Sequence, residues 1–233
     1  MIYVGMDDTD NLESRGTGSL AREIAGKLGK DYQIYGVTRH QLYDHPDIPY
    51  TSHNTSAVIQ IKGSGSENID EIFELVKEEM LADFMEGSDP GLVVANESQI
   101  TPALVAFGID AKCTVLNQEK ARNLAHNLKI RLEGLGGTED GIIGAMAGVG
   151  LAFSKYDGRF LRMGTADVKG YTKTVEELFD AGVDEIMTVD GRTIHEGIVH
   201  NSQGRLLKTC PVGGKIILFV EEVGGVMEVV DRG

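Results

Sequence analysis

Ile2-Tyr3-Val4-Gly5-Met6-Asp7-Asp8-Thr9-Asp10 leads, through Ser14-Arg15-Gly16-Thr17-Gly18-Ser19, into Leu20, Ile24, Ala25 and Leu28 at helical spacing, with Gly29 as the stop. The first five apolar positions are short and β-favouring and predict a buried strand. The acids then form a loop, and the Gly/Thr/Ser turn opens a helix. A functional loop at the carboxyl end of a strand, faced by helix N–H groups, suits a phosphate-bearing ligand. The same pattern sets the fold class. Further strands are predicted over Gln33 to His40, Ala57 to Ile61 and Leu92 to Ala95, and amphipathic helices over Asn68 to Glu86 and Gln118 to Leu132. The expectation is an α/β chain, with mixed α+β left open: a sheet flanked by helices, then a smaller strand-rich C-terminal part. Residues 1–155 form the first unit and residues 156–233 the second. Gly-containing turns recur after about Ser154, with a helix at Val175 to Ala181 and strands at Lys215 to Val220 and Val226 to Val230.

Composition narrows the function. The 233 residues are 41% hydrophobic and carry a formal charge of −14, so a sizeable core forms and phosphate backbones are repelled. Direct RNA binding is therefore not expected, and a nucleotide with a small polar substrate is the expected partner pair. Two cysteines, Cys113 and Cys210, exclude a disulfide framework and a four-cysteine zinc ribbon. No apolar run is long enough to span a membrane, and the first residues do not read as a signal peptide. A cytoplasmic protein, with homo-oligomerisation open, is the expectation.

Three clusters carry candidate chemistry. Asp7, Asp8 and Asp10 repel one another unless solvent, N–H groups or a hard cation such as Mg²⁺ neutralises them; an Asx turn is the plain alternative. Gly16-Thr17-Gly18-Ser19 can bring backbone N–H groups to a phosphate, or simply cap a helix; it lacks the Lys of a Walker A loop. Gly134 to Gly144 is the second glycine-rich stretch, with Thr138 as its N-cap, Gly137 and Gly141 near a ligand, and Glu139 and Asp140 as oxygen donors. Arg39, His53 and Asn54 belong to a polar region around Tyr43 to Ser56 that reads as a substrate-contacting loop.

In order, these motifs resemble the kinase-like catalytic module of the archaeal tRNA(Ile2) 2-agmatinylcytidine synthetase family. Gly5-Met6-Asp7-Asp8-Thr9-Asp10-Asn11 matches its Gly-Ile-Asp-Asp-Thr-Asp-Ser. His45-Pro46-Asp47-Ile48-Pro49-Tyr50 matches its Asn-Pro-x-x-Pro-Trp/Tyr loop. Asp89-Pro90-Gly91 echoes its Asn-Pro-Gly turn, and Gly141-Ile142-Ile143-Gly144-Ala145 its Gly-x-Ile-Gly-Ala helix. The resemblance covers about residues 1–155. It implies ATP, or another nucleoside triphosphate, with Mg²⁺ as cofactor, and a phosphotransferase or ligase-like reaction. Asp7, Asp8 and Asp10 would handle metal, Asp8 also taking part in catalysis. Gly16, Gly18, Gly137, Thr138 and Gly141 would approach the nucleotide, and Arg39, His53 and Asn54 the substrate. The family's phosphorylatable threonine falls on Ser19, with Thr17 as the alternative.

Two departures stand out. The family's Lys-Thr-Arg becomes Thr51-Ser52-His53 and its Gly-Arg-Gly becomes Glu139-Asp140-Gly141, which removes cations. The chain is also too short for that family's OB-fold and zinc ribbon. A non-catalytic nucleotide sensor and a subunit of an RNA-modifying complex stay open as alternatives.

Overall fold

The computed structural model describes residues 1–10, 15–48, 53–63, 68–164 and 169–231. Asn11, Ser14 and the Pro49-Tyr50-Thr51-Ser52 part of the loop quoted above lie outside the described residues.

The first sheet contains β1 (Ile2–Asp7), β2 (Gln33–Gln41), β3 (Thr55–Lys62), β4 (Gly91–Asn96), β5 (Arg131–Gly134) and β6 (Arg159–Met163) in the order β5-β4-β1-β3-β2-β6. Every pairing in it is antiparallel. The fold is thus mixed α and β as expected, in the α+β form left open. Side chains alternate across β1. Ile2, Val4 and Met6 face one layer, built by α1 (Thr17–Leu28) and α2 (Ile69–Ala82). Tyr3 faces the other, built by α3 (Pro102–Asp110), α4 (Gln118–Leu128) and α5 (Gly141–Ser154). Two hydrophobic cores therefore sandwich the sheet, and each fully buried Leu, Ile or Phe contributes about 1.5–3 kcal/mol.

Local sequence explains the ends of these elements. Asn68 accepts the N–H groups of Asp70 and Glu71, and these acids sit where the helix dipole favours them. α1 buries Leu20, Ala21, Ile24, Ala25 and Leu28 along one stripe. α5 is different, because it buries nearly every residue from Gly141 to Ala152. Its small residues let it lie against both β1 and α3.

One reading is corrected and one element was missed. The helix expected to run to Leu132 ends at Leu128, Lys129 takes a left-handed φ of 55°, and Arg131–Gly134 pairs with β4 as an edge strand. Helical spacing continued through residue 132, but pairing with the sheet prevails. α3 escaped the periodicity search because it is apolar on all sides; its one sequence sign is Pro102 at the first turn.

The second sheet follows the order β10-β11-β12-β9-β7, with β8 added parallel to β11. Its strands are β7 (Thr172–Thr174), β8 (Glu185–Thr188), β9 (Ile198–His200), β10 (Cys210–Val212), β11 (Lys215–Val223) and β12 (Val226–Val229), with α6 (Val175–Asp180) packed on it. β6 joins the two halves. It pairs with β2 in the first sheet, yet Phe160 and Met163 belong to the core of the second. Among the described residues, no helix is long and apolar enough to cross a membrane.

His40 is structural. It is fully buried, its Nδ1 lies 3.0 Å from Asp157 Oδ1 and its Nε2 2.8 Å from Thr38 Oγ1. Asp157 also accepts from Lys112 Nζ at 2.5 Å. Burial holds the imidazole pKa below its ordinary value, against the pull of Asp157, so the ring is neutral. An unfolded chain binds this proton more tightly than the folded one, so stability is full above pH ~6.5 and falls as the pH drops towards the depressed folded pKa. Asp157, held below the carboxylate range by His40 and Lys112 despite its burial, adds a further acid loss starting at lower pH, below its own ordinary value. A His40→Gln variant titrated by denaturant should lose the part of the acid loss that sets in below pH ~6.5. An unchanged pH profile would refute this assignment.

Candidate functional site

β1 ends at the sheet edge where β2 also ends and where β3, β4 and β6 begin. A cleft of about 690 Å³ opens there, between the start of α1, the start of α5 and the segment after α3. That volume is in the range of small-molecule sites.

The acidic run forms one wall. Asp7 ends β1 on the face toward α5 and is almost fully buried. Its Oδ1 accepts the Asp8 N–H at 2.8 Å. Its Oδ2 abuts α5 so closely that a Cβ on Gly144 would lie 1.6 Å from it. Burial raises the Asp7 pKa well above the carboxylate range, and Asp8 and Asp10 raise it further. Asp8 has φ 51°, a left-handed conformation that aspartate tolerates better than most residues. Burial and then the charges of Asp89, Asp10 and Asp140 push its pKa up to about 6. Asp10 is drawn towards α1: its Oδ1 accepts from Thr17 Oγ1 at 2.8 Å and from Thr17 N at 3.3 Å.

These bonds separate the two candidate hydroxyls. Thr17 is buried, donates to Asp10 and accepts from Thr9 Oγ1 at 3.0 Å. It ties the acidic loop to the helix. Ser19 lies two residues further along α1, lines the cleft and accepts from Arg22 Nη2 at 3.2 Å. Gly16, with φ 82°, makes the turn that brings both into place.

Of the other expected positions, Gly18, Arg39, His53, Asn54 and Gly141 also line the cleft. Gly137 and Thr138 do not. Their loop closes over Asp89, whose carboxylate accepts the Thr138 N–H. Thr138 is not the N-cap either; Asp140 occupies that place and α5 starts at Gly141. The loop acts on the cleft indirectly, through Asp89 beside Asp8. Glu139 is paired with Arg122, and Asp140 accepts from Gln118 Nε2 at 2.7 Å.

Sequence reading missed the opposite wall. Thr114 to Gln118, after α3, and Leu161 and Leu206, from beyond residue 155, line the cleft and add apolar surface. None lies in a motif. Arg22 was missed too, although its place one turn after Ser19 on α1 was visible in the sequence.

Among the described residues no three His, Cys, Asp or Glu side chains form a ready-made metal set. Mg²⁺ does not require one, because it commonly binds through one or two carboxylates and the phosphates of its ligand. The crowded carboxylates around Asp8 suit such a cation chemically, since their mutual repulsion is what a cation relieves.

No protein-family model matches the chain. An uncharacterised protein of Methanocaldococcus jannaschii is 27% identical over 155 residues, which is 65% of this chain and 50% of that protein. Among solved structures, a TiaS–tRNA(Ile2)–ATP complex aligns with TM-score 0.57 and 25% identity over 64% of this chain and 36% of that one. Apo TiaS, the tRNA(Ile2) agmatidine synthetase, aligns with TM-score 0.55 at 24% identity, over 64% of this chain and 35% of that one. A tRNA fluorescent labelling enzyme aligns with TM-score 0.56 at 23% identity, over 73% and 37%. The chain thus spans about half of its sequence relative and about a third of these structural neighbours. One of them holds tRNA, so the expectation of no direct RNA contact, drawn from net charge, gains no support from them. What they do bear out is the likeness read from the motifs: over 64% of its length this chain resembles the catalytic module of the tRNA(Ile2) agmatidine synthetase TiaS.

Proposed function

We propose that this chain is an ATP- and Mg²⁺-dependent phosphotransferase or ligase-like enzyme acting on a small polar substrate. The observation that carries the reading is the convergence of the Asp8 loop, the Gly16-to-Ser19 turn and the substrate-loop residues Arg39, His53 and Asn54 on one cleft. The likeness to a structure solved with ATP points the same way. Asp8 and Asp10 would hold Mg²⁺ together with the nucleotide's phosphates, and the ion would supply positive charge at the phosphate oxygens. The N–H groups of Gly16 and Gly18 would approach those oxygens. Arg22 and Arg39 provide the cations that the motif comparison found lost at positions 51 to 53 and 139 to 140. Charge of this kind stabilises a transferring phosphoryl group. Asp7 also lines the cleft, though mostly buried, and fixes the Asp8 backbone by accepting its N–H.

Ser19 would receive or relay the phosphoryl group; what supports it is that Ser19 lines the cleft while Thr17 is bonded into the scaffold. In a turnover assay with ATP and Mg²⁺, Ser19→Ala should lower turnover about a hundredfold or more while leaving nucleotide affinity within about threefold. Thr17→Val should instead destabilise the fold by about 1–3 kcal/mol, because it orphans buried partners. Full activity in Ser19→Ala would remove Ser19 from the mechanism. Absence of calorimetric binding of ATP and of GTP with Mg²⁺ would end the whole reading.

A second reading, a nucleotide sensor without turnover, draws on Asp140, an acid lining the cleft where the resembled family carries a cation. It predicts binding with no product over hours.

A further inference from the structure

A second cleft, of about 640 Å³, adjoins the first and shares Arg39, His53 and Thr55 with it. Its charge is opposite to that of the protein. Arg39, Lys112, Arg159 and Lys208 line it against only Asp157 and Asp231. Lys112 is already bonded to Asp157, which His40 shares. Arg159 lies 3.4 Å from Asp231, and Lys208 pairs with the same carboxylate. Arg39 stands without an ion pair among the described residues; its Nε donates to Thr55 Oγ1 at 3.1 Å.

The placement of these cations is built by the sheet. Arg39 on β2 and Arg159 on β6 are direct cross-strand partners, so their side chains leave the same face side by side. Like charges in that position oppose folding. Burial holds the pKa of Arg39, Arg159 and Lys208 below the ordinary values, and for Arg39 and Lys208 the neighbouring cations add to it. A protein of charge −14 thus keeps three crowded, half-buried cations next to an acidic nucleotide cleft.

We propose that the second substrate is a small anion, a carboxylate or a phosphate ester, held in this cleft by Arg39, Arg159 and Lys208. This rests on the nucleotide reading of the first cleft and names the acceptor class for it. The anionic end lies against Arg159 and Lys208. The polar end lies past Arg39 and His53, which border both clefts, and so meets the nucleotide. Charge-assisted bonds from guanidinium groups recognise either anion, and their fork geometry favours planar or tetrahedral oxygens over a point contact. The site is the reverse of one for a cationic acceptor such as agmatine, which a similar structure contains.

The test is calorimetric titration of the full chain at fixed ionic strength with five separate probes: inorganic phosphate, succinate, agmatine, a short single-stranded RNA, and AMPCPP with Mg²⁺. Phosphate or succinate should bind, and the tighter of the two identifies the anion. Arg159→Gln and Lys208→Gln should each weaken that anion about ten- to hundredfold, since each removes one charge-assisted contact, while AMPCPP affinity stays unchanged. Lys208 is partly exposed, so its variant serves if Arg159→Gln fails to fold. The proposal falls if AMPCPP binds but neither anion does. It falls equally if the variants bind anions like the wild type, if agmatine binds instead, or if a short single-stranded RNA binds through these residues while small anions do not. Anion binding without AMPCPP binding would leave the anion cleft standing and overturn the nucleotide reading.

Discussion

Asp8→Asn should abolish Mg²⁺-dependent nucleotide binding and at the same time make the ligand-free protein more stable. Asparagine is nearly isosteric and favours the left-handed backbone that Asp8 adopts, so the loop keeps its shape. What changes is charge. The Asp8 pKa is raised from 3.8 to about 6, by burial first and by Asp89, Asp10 and Asp140 after it. The sign is the reverse of a salt-bridged carboxylate: the folded state holds this proton more tightly, so stability is lost as pH rises from about 4 through about 6. Discounted for partial solvent screening, the ionised group costs about 1–2 kcal/mol at neutral pH. Thermal melts at pH 7.5 without ligand should place the variant about 2–8 °C above the wild type. Melts with Mg²⁺ and ATP should invert the order, since only the wild type gains binding energy. A variant that is less stable without ligand, or that still shows a Mg²⁺-dependent shift, would contradict this account of the wall.

Gly144→Ala should be strongly damaging for a single added methyl group. In most helix interiors the change gains stability, by roughly 0.5–1 kcal/mol. Here the new Cβ would lie 1.6 Å from Asp7 Oδ2. Neither neighbour can yield cheaply: Asp7 is fixed by the Asp8 N–H and β1, and α5 is buried along almost its whole length. Overpacking of that kind costs about 1–3 kcal/mol, and displacement of Asp7 would shift Asp8 with it. We expect a loss of about 3 kcal/mol in urea titration and loss of nucleotide binding beyond what that instability explains. Gly26→Ala is the control. It sits on exposed α1, and its nearest contact is the flexible tip of Arg162 at 3.2 Å, so it should be neutral or stabilising.

Much of the site could be read in the sequence, because its parts sit next to the chain's strongest local signals. Asp7, Asp8, Gly16 and Ser19 lie at the junction of a clear strand and a clear helix, and that junction needs little tertiary information. Gly137 and Thr138 were drawn in by proximity to a glycine-rich helix start, and they do not line the cleft. The structure uses them to fold a loop over Asp89. Val115, Leu116, Leu161 and Leu206 could not be found from local pattern. They reach the cleft by the path of the chain after α3 and by the return of the C-terminal part, both matters of long-range packing. The edge strand Arg131–Gly134 escaped for a related reason, since its pairing partner β4 is distant in sequence.

β6 has a consequence for how the protein can be dissected. A polypeptide ending at residue 155 would retain every acidic and glycine-rich motif, yet it would leave the outer side of β2 with no neighbour. Unpaired strand borders recruit other chains, so such a fragment should self-associate or precipitate. It would also lose Leu161 and Leu206 from the lining of the first cleft and Arg159 from that of the second. The N-terminal half, though it holds the recognisable motifs, depends on the residues that follow it for a closed surface.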